Sequence, residues 1–449
     1  MAWESKIIRT VRVRNSQASG TLARLLGAIA EAGGDPGSIQ VLTQSSQHVV
    51  RDITVYADNE VQMERVLEAM RLNEGTKVIQ VRDEVLELHQ KGKIAIRSRV
   101  PIDSMATLRR VYTPGVAEVC RRIAADPSLA WSYTSVSHMV AIVTDGTAVL
   151  GLGDIGPLAG MPVMEGKAML METLVGLSGV PILLSTRDTE EIIAAVKAIA
   201  PTFAAIQLED ISAPRCFEIE TRLQEALDIP VMHDDQHGTA VVSTAALLVA
   251  SRETGRDLSK SVIGQIGLGA AGNAIGRMLM RLTGRPVHGA DKSEEALERF
   301  EKQGGLRSDL RSIMADCDIV IATTGAAGLI KPEMVSKGQI ILALSNPNAE
   351  IDPEVALERG AAFAADGKSV NNVLGFPGIF RGAVDAHAPR ITHEMLVSAA
   401  ETIAAMTPAG ELVPSPLERS VHQAVARAVA ETAIRQGIAR AEYVPYVEE

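Results

Sequence analysis

Aromatic side chains make up only 3% of this 449-residue sequence. Its cores must therefore be built from Ala, Val, Ile, Leu and Met, and there is little material for stacking nucleic-acid bases. Positive charge is also in the minority. The 44 Lys and Arg against 55 Asp and Glu leave a net charge of −11, which argues against an electrostatic grip on nucleic acid or on an anionic membrane surface. Cysteine is sparse too: Cys120, Cys216 and Cys317 lie far apart and form no CxxC. Neither a disulfide framework nor a cysteine-based zinc site follows, and a reducing cytoplasm fits. Long apolar runs are missing as well. The longest uncharged one, Thr173 to Thr186, has 14 residues and contains Ser, Gly and Pro, too short and too interrupted to span a bilayer. The charged stretch from Met1 to Thr10 has no apolar h-region of a secretory signal. A soluble, cytoplasmic protein acting on a small molecule is expected.

The hydrophobic periodicity predicts three domains, at 1–84, 85–240 and 241–449. In the first, Val11 and Val13 alternate with arginines, and Leu22, Leu25, Leu26 and Ile29 recur at helical spacing up to Gly33-Gly34. Two extended runs follow, the second with Ile53, Val55 and Ala57 on one face. Val61, Val66, Leu67 and Met70 mark a second helix, and Lys77 to Arg82 a last strand. Strand, helix, strand, strand, helix, strand is the split βαβ, ferredoxin-like order of an α+β domain. After a charged linker at 85–103, apolar runs at Val140–Val143, Pro181–Leu184 and Phe203–Leu208 are separated by helical stretches, the rhythm of a parallel α/β sheet. A second set, Val262–Ile266, Val287–Ala290, Ile319–Ala322 and Ile340–Ala343, predicts a Rossmann-type domain. The stretches Ile391–Met406 and Leu417–Gly437 read as helices that pack back on the catalytic domain.

Gly267-Leu268-Gly269-Ala270-Ala271-Gly272 follows the strand ending at Ile266 and opens a helix. Asp291 closes the next strand, near the spacing of a dinucleotide fingerprint. Glycines there let backbone N–H groups approach a pyrophosphate at the positive helix end, and the carboxylate accepts from ribose hydroxyls. Asp291 favours NAD, because it would repel the 2′-phosphate of NADP; Lys292 beside it keeps NADP open. Glu209-Asp210 and Asp234-Asp235 each follow a strand, where α/β sheets place ligand sites, and hard oxygen ligands suit Mg²⁺ or Mn²⁺. Asp234-Asp235 also reads as a cap for a helix starting near Gly238. His233 and His237 could hold zinc, although Pro230 and Gly238 point to a loop there. Tyr112 precedes a Pro-Gly turn, and Glu165-Gly166-Lys167 precedes an apolar helix. A buried lysine beside a cation loses pKa and can act as a base. By residue type alone, Tyr112 reads more readily as a core tyrosine and Lys167 as a solvated charge, and composition does not single them out.

The strings Val111-Tyr112-Thr113-Pro114-Gly115-Val116-Ala117, Gly151-Leu152-Gly153-Asp154-Ile155-Gly156, Glu165-Gly166-Lys167, Leu208-Glu209-Asp210, His233-Asp234-Asp235-Gln236-His237-Gly238-Thr239-Ala240, Ser345-Asn346-Pro347 and Asn371-Asn372-Val373 occur in one order. In them the chain resembles malic enzymes of the shorter bacterial type, from about residue 85 to 440. The resemblance implies oxidative decarboxylation of L-malate to pyruvate and carbon dioxide, with NAD or NADP as acceptor and Mg²⁺ or Mn²⁺ as cation. It implies Lys167 as general base and Tyr112 as general acid, with Asp234 orienting Lys167. Glu209, Asp210 and Asp235 would hold the metal, and Asn346 and Asn372 would contact cofactor and substrate. The larger malic enzymes carry an arginine for the malate carboxylate where this chain has Ala148, which leaves the carboxylate clamp open. A dimer or higher homo-oligomer is implied, with Tyr112 and Lys167 of one site drawn from the same or different subunits. The first domain resembles an ACT domain through Val13-Arg14-Asn15, Gly20 and Leu22, implying a small-metabolite effector; a dimerisation cap without ligand is the plainer reading. Simple malate dehydrogenation, oxaloacetate decarboxylation and a non-catalytic metabolite sensor are the rival functions. The glycine loop speaks against the second and the intact Tyr112, Lys167 and carboxylates against the third.

Overall fold

A computed structural model describes residues 6–446 apart from 150 and 369. The chain divides into two compact units, Met1–Ala95 and Ile96–Glu449. The first contains β1 (Ile7–Ser16), α1 (Thr21–Glu31), β2 (Asp35–Gln44), β3 (His48–Ala57), α2 (Glu60–Leu72) and β4 (Thr76–Arg82). Its sheet has the order β2-β3-β1-β4, antiparallel throughout. Val11, Val13, Ile53 and Val55 pack from the strands against Leu25, Ile29, Met63, Val66, Leu67 and Met70 of the two helices. Asn59 caps α2 by accepting from the Gln62 N–H. Val61, expected on the inner face of α2, is 73% exposed. The helix is rotated so that Met63 takes the inner position, because the apolar stripe follows the 3.6-residue period from Met63 to Met70.

The second unit holds two parallel sheets. β5 (Met139–Thr144), β6 (Ser178–Leu183), β7 (Ala205–Leu208) and β8 (Val231–His233) form one, in the order β6-β5-β7-β8. Val140 to Val143 are fully buried, as expected of a strand covered on both faces. The helices used below are α3 (Pro157–Val175), α4 (Arg215–Ala226) and α5 (Asp234–Thr254). Two expectations are corrected here. Glu165-Gly166-Lys167 lies inside α3 instead of ahead of a helix. α5 starts at Asp234, runs unbroken past Gly238 and crosses the boundary expected at residue 240; Pro230 lies outside it, and Gly238 is an interior position that packing requires.

β9 (Ile263–Ile266), β10 (His288–Ala290), β11 (Leu306–Arg307), β12 (Ile319–Ala322), β13 (Ile340–Ala343) and β14 (Phe363–Asp366) form the other sheet, ordered β11-β10-β9-β12-β13-β14. Numbered from its first strand this is 3-2-1-4-5-6, the doubly wound Rossmann order, with its crevice between β9 and β12. β11 and β14 were not foreseen: one has two residues and the other, Phe-Ala-Ala-Asp, has no β-branched residue. α6 (Ala270–Thr283) follows β9. Three C-terminal helices close the unit: α7 (Phe376–Asp385), α8 (His393–Met406) and α9 (Arg419–Arg435). α8 packs on α5, and α9 packs on α7, α8 and α3. Among the described residues no helix is long and apolar enough to cross a membrane.

Phe300, fully buried, lies against Gly276 of α6, Gly289 of β10 and Gly305. A Cβ at any of the three would come within 2.6 Å of its ring, so the sheet and helix meet through that one side chain. Phe300→Ala leaves a cavity at this junction and is expected to cost about 3 to 5 kcal/mol. The check is the urea unfolding midpoint followed by circular dichroism, and an unmoved midpoint would contradict it.

Candidate active site

The C-terminal ends of β5, β7 and β8 deliver the chemistry. Glu209 and Asp210 follow β7, and Asp234 and Asp235 form the first turn of α5 directly after β8. A helix N-terminus favours negative charge there. Asp210 has φ +54°, a left-handed conformation uncommon outside glycine, and its N–H donates to Asp235 Oδ2 at 2.8 Å. The Ala148 N–H donates to Asp210 O at 2.9 Å, so position 148 offers only a methyl and a backbone tie to the acid loop.

Ligand atoms of Glu209, Asp210 and Asp235 all lie within 4.8 Å of one another. Lys167 from α3 reaches into the same cluster. Its Nζ donates to Asp234 Oδ2 and lies 3.0 Å from Glu209 Oε1 and 4.5 Å above the Phe376 ring. Asn372, from the far side of the second sheet, donates to Asp234 Oδ2 at 2.7 Å. Gln207 holds the other oxygen of Glu209. Gly238 lies one helical turn after Asp234, and a Cβ there would sit 1.9 Å from Asp234 Oδ1. Only glycine lets that carboxylate fold over the helix.

Burial pushes Glu209 up to about 7 against the pull of Lys167, and it pushes Asp234 and Asp235 up to about 6. For Lys167, burial draws the pKa down, but Asp234, Glu209 and Asp235 outweigh it and hold the ammonium above the ordinary lysine range. That is the reverse of the lowering expected for a lysine beside a cation. The reason is that the carboxylates around it carry negative charge with no second positive group to share it. Three converging carboxylates, of which Glu209 and Asp235 have raised pKa values, fit a hard divalent cation, which would relieve that crowding.

The histidines do not join this group. Burial first, with His237 and Lys167 adding to it against Glu220 and Asp234, holds His233 down to about 4, so it is neutral. It lies 3.4 Å from Asp235 Oδ2 without a hydrogen bond. His237 turns away to Glu220 at 3.0 Å. Tyr112 is 66% exposed, and among the described residues no side-chain hydrogen bond joins it to Lys167 or the acids.

At the crevice of the second sheet, Gly267 has φ +87° and a Cβ there would meet Thr323 O at 2.6 Å. A Cβ on Gly272 would lie 1.9 Å from Gly267 O, whereas Gly269 faces open space at the start of α6. Leu268, Ala270 and Ala271 complete this turn. Asp291 Oδ2 accepts from the Leu268 N–H at 2.6 Å and Oδ1 from the Ser293 N–H at 2.8 Å, so this carboxylate also braces the loop. Asn346 is exposed beside the crevice and donates to Gly367 O at 3.1 Å. Sequence reasoning did not single out Phe376, Gln207 or Glu220. Phe376, one of only six phenylalanines, was the one with a compositional signal.

A Rossmann sheet with an open glycine turn, joined to a buried acid cluster around one ammonium, defines a dinucleotide-dependent α/β enzyme with a cation-competent centre. Residues 91–224 match the family model of the malic enzyme N-terminal domain, and residues 364–434 that of the malic enzyme NAD binding domain. The chain is 56% identical over 430 residues to NAD-dependent malic enzyme 1 of Bacillus subtilis (strain 168), covering 95% of this chain and 98% of that one. It is 45% identical to the NAD-dependent malic enzyme of Geobacillus stearothermophilus over 462 residues, covering 97% of this chain and 96% of the other. The crystal structure of malic enzyme from Pyrococcus horikoshii superposes with a TM-score of 0.76 at 40% identity, covering 80% of this chain and 92% of that chain. The chain belongs to the malic enzyme family.

Protons compete with a cation for Glu209, at about 7, and Asp235, at about 6. Apparent Mn²⁺ affinity, read by calorimetry, is therefore expected to weaken as pH falls below about 7 and to level off above it. Glu209→Gln is expected to weaken it by roughly 10- to 100-fold; a variant binding Mn²⁺ like the wild type would remove Glu209 from the ligand set.

Proposed function

We propose that this protein oxidises L-malate with NAD and decarboxylates the product to pyruvate, and that Lys167, Asp234 and Tyr112 move the protons. The observation that carries this reading is Lys167 Nζ at 3.0 Å from Glu209 and hydrogen-bonded to Asp234, inside the group formed by Glu209, Asp210 and Asp235. A divalent cation on those three carboxylates, Mg²⁺ or Mn²⁺, would supply Lewis-acid polarisation of the C2 oxygen, and a nicotinamide above the glycine turn a hydride acceptor. With its pKa lowered once a cation shares the carboxylates, Lys167 would pass a proton along its hydrogen bond to Asp234 and then take the C2 hydroxyl proton as the C2 hydride leaves. The C3–C4 bond breaks, carbon dioxide departs, and the electron pair passes to the enolate. Tyr112 donates its proton to C3. Asn372 fixes Asp234 and, with Asn346, lines the path between the acid cluster and the glycine turn. Asp291 favours NAD by its remaining lone pairs toward the ribose, and NAD dependence in the names of the two bacterial relatives supports the same choice.

Tyr112 completes the site from a second copy of the chain. In support, Ile102, Met105, Val111 and Tyr112 are all exposed, and no residue of the helices Met105–Val111 and Val116–Ala125 is buried. Such a face in a cytoplasmic protein calls for a partner. The β6-β5-β7-β8 sheet and the Rossmann sheet of the second unit then serve substrate and dinucleotide. The first domain, 1–84, acts as an ACT-like regulatory module. The hollow of about 440 Å³ beside its β1–α1 turn, lined by Ser16, Gln17, Gly20, Thr21 and Arg51, offers a place for a small-metabolite effector.

Lys167→Ala is expected to lower malate-dependent NADH formation by at least about a thousandfold while NAD binding, read by calorimetry, persists; unchanged turnover would reject its role. Carbon dioxide release separates the coupled reaction from simple dehydrogenation. Tyr112→Phe and Lys167→Ala, each inactive alone, are expected to recover about a quarter of wild-type activity when mixed and reassociated at random, because one site of each mixed pair is then intact. No recovery would place both residues in one chain.

A further inference from the structure

A second polar cavity, of about 170 Å³, lies between α4, α5, α6 and the start of α8. Arg277 and Arg281, one turn apart on α6, line it together with His237, His393 and Glu220. It contains none of the glycine-loop residues and none of the three carboxylates that converge at the cation-competent centre.

Two features of this lining call for a ligand. Neither Arg277 nor Arg281 makes a hydrogen bond or an ion pair with another described residue, although Arg277 is partly buried, where an uncompensated cation is costly. Its guanidinium is held below the ordinary arginine range by burial, with Glu220 opposing and Arg281 adding to the effect. His393 Nε2 is a buried polar atom with no hydrogen-bond partner among the described residues. Burial first, then the charge of Arg281, holds this imidazole down to about 4, so near neutral pH it can donate an N–H without carrying charge. It is also the first residue of α8, whose positive end adds to the field.

Glu220 is the carboxylate in the lining, and both its oxygens are already engaged. Oε1 accepts from the His233 N–H at 2.8 Å, and Oε2 from Gln236 Nε2 at 3.1 Å and faces His237 Nε2 at 3.0 Å. Its oxygens are spent on the first turn of α5, and although Glu220 acts at a distance on Arg277 and Glu394 on Arg281, neither carboxylate forms an ion pair with these guanidiniums. We propose that this cavity binds an oxyanion, the phosphate or carboxylate group of a small metabolite, held by the Arg277 and Arg281 guanidiniums and the His393 imidazole. Bidentate donors on one helix facing an N–H from another suit a planar or tetrahedral oxyanion. Through His237 and Glu220, the bound group also has a route to the turn that carries Asp234 and Asp235.

The full chain, saturated with NAD so that the glycine turn is filled, is titrated by calorimetry with inorganic phosphate and separately with succinate, at ionic strength held constant with sodium chloride. At least one probe is expected to bind saturably. Its dissociation constant should rise tenfold or more in Arg281→Gln, an exposed position that spares the fold, and further in Arg277→Gln/Arg281→Gln. Tighter phosphate marks a phosphorylated metabolite, and tighter succinate a carboxylate. Absence of saturable binding by both probes, or equal binding by wild type and Arg281→Gln, would overturn the proposal. Because the readout is binding alone, the outcome does not depend on which reaction the enzyme performs.

Discussion

The crowding of carboxylates around one ammonium is the constraint on which the rest of this site depends. Glu209, Asp234 and Asp235 surround Lys167 at the ends of two adjacent strands with Asp210 beside Glu209 and Asp235, and all but Asp235 are almost fully buried. Two unit charges 4 Å apart, at the effective dielectric suited to protein sites, interact by about 4 kcal/mol. Four negative groups against one positive group therefore leave a repulsion that hydrogen bonds from Gln207, Asn372 and the Asp210 N–H offset only in part. The raised pKa values of Glu209, Asp234 and Asp235 express the same imbalance. Two more positive charges would nearly balance it, and would draw Lys167 back toward a pKa at which it can lose its proton.

That balance explains why the surrounding architecture is so specific. Asp234 cannot move, because Lys167 and Asn372 hold one of its oxygens while the other packs over Gly238. Asn372 and Phe376 come from beyond β14, so the nucleotide-binding half of the unit supplies two of the groups around the lysine that the other half carries on α3. Opening between the two sheets would pull Asn372 from Asp234 and the Phe376 ring from Lys167. The electrostatic state of the base is thereby tied to the relative placement of the two halves.

Much of this architecture was legible in the sequence, and the exceptions have physical causes. Central parallel strands such as Ile319–Ala322 and Ile340–Ala343 announce themselves because both faces are buried and every residue is apolar. The edge strands β11 and β14 do not, since one neighbour suffices to hold them and their composition is unconstrained. The glycine turn was readable because its function lies in consecutive residues. The two acid pairs were readable as ligand candidates from their places after strands, but joining them to Lys167 took the family resemblance, because the members are spread from residue 167 to 235 and no local rule links them. Glycine misled at position 238. It signals a loop by its conformational freedom, yet here it sits inside a helix because of what lies against it.

Glu220 shows the same limit from the other side. On α4 it is an unremarked glutamate in an amphipathic helix, with nothing in its neighbours to single it out. In the fold it is 5% exposed and grips the His233 N–H, Gln236 and His237, the residues that flank Asp234 and Asp235. α5 has no side-chain N-cap of its own. A buried carboxylate from the preceding helix, α4, supplies the missing acceptor for the N–H of its capping residue, His233, and burial makes that bond stronger than a surface cap would be. The position of the first turn of α5, and hence of Asp234 and Asp235, is therefore set by a residue that touches neither of them.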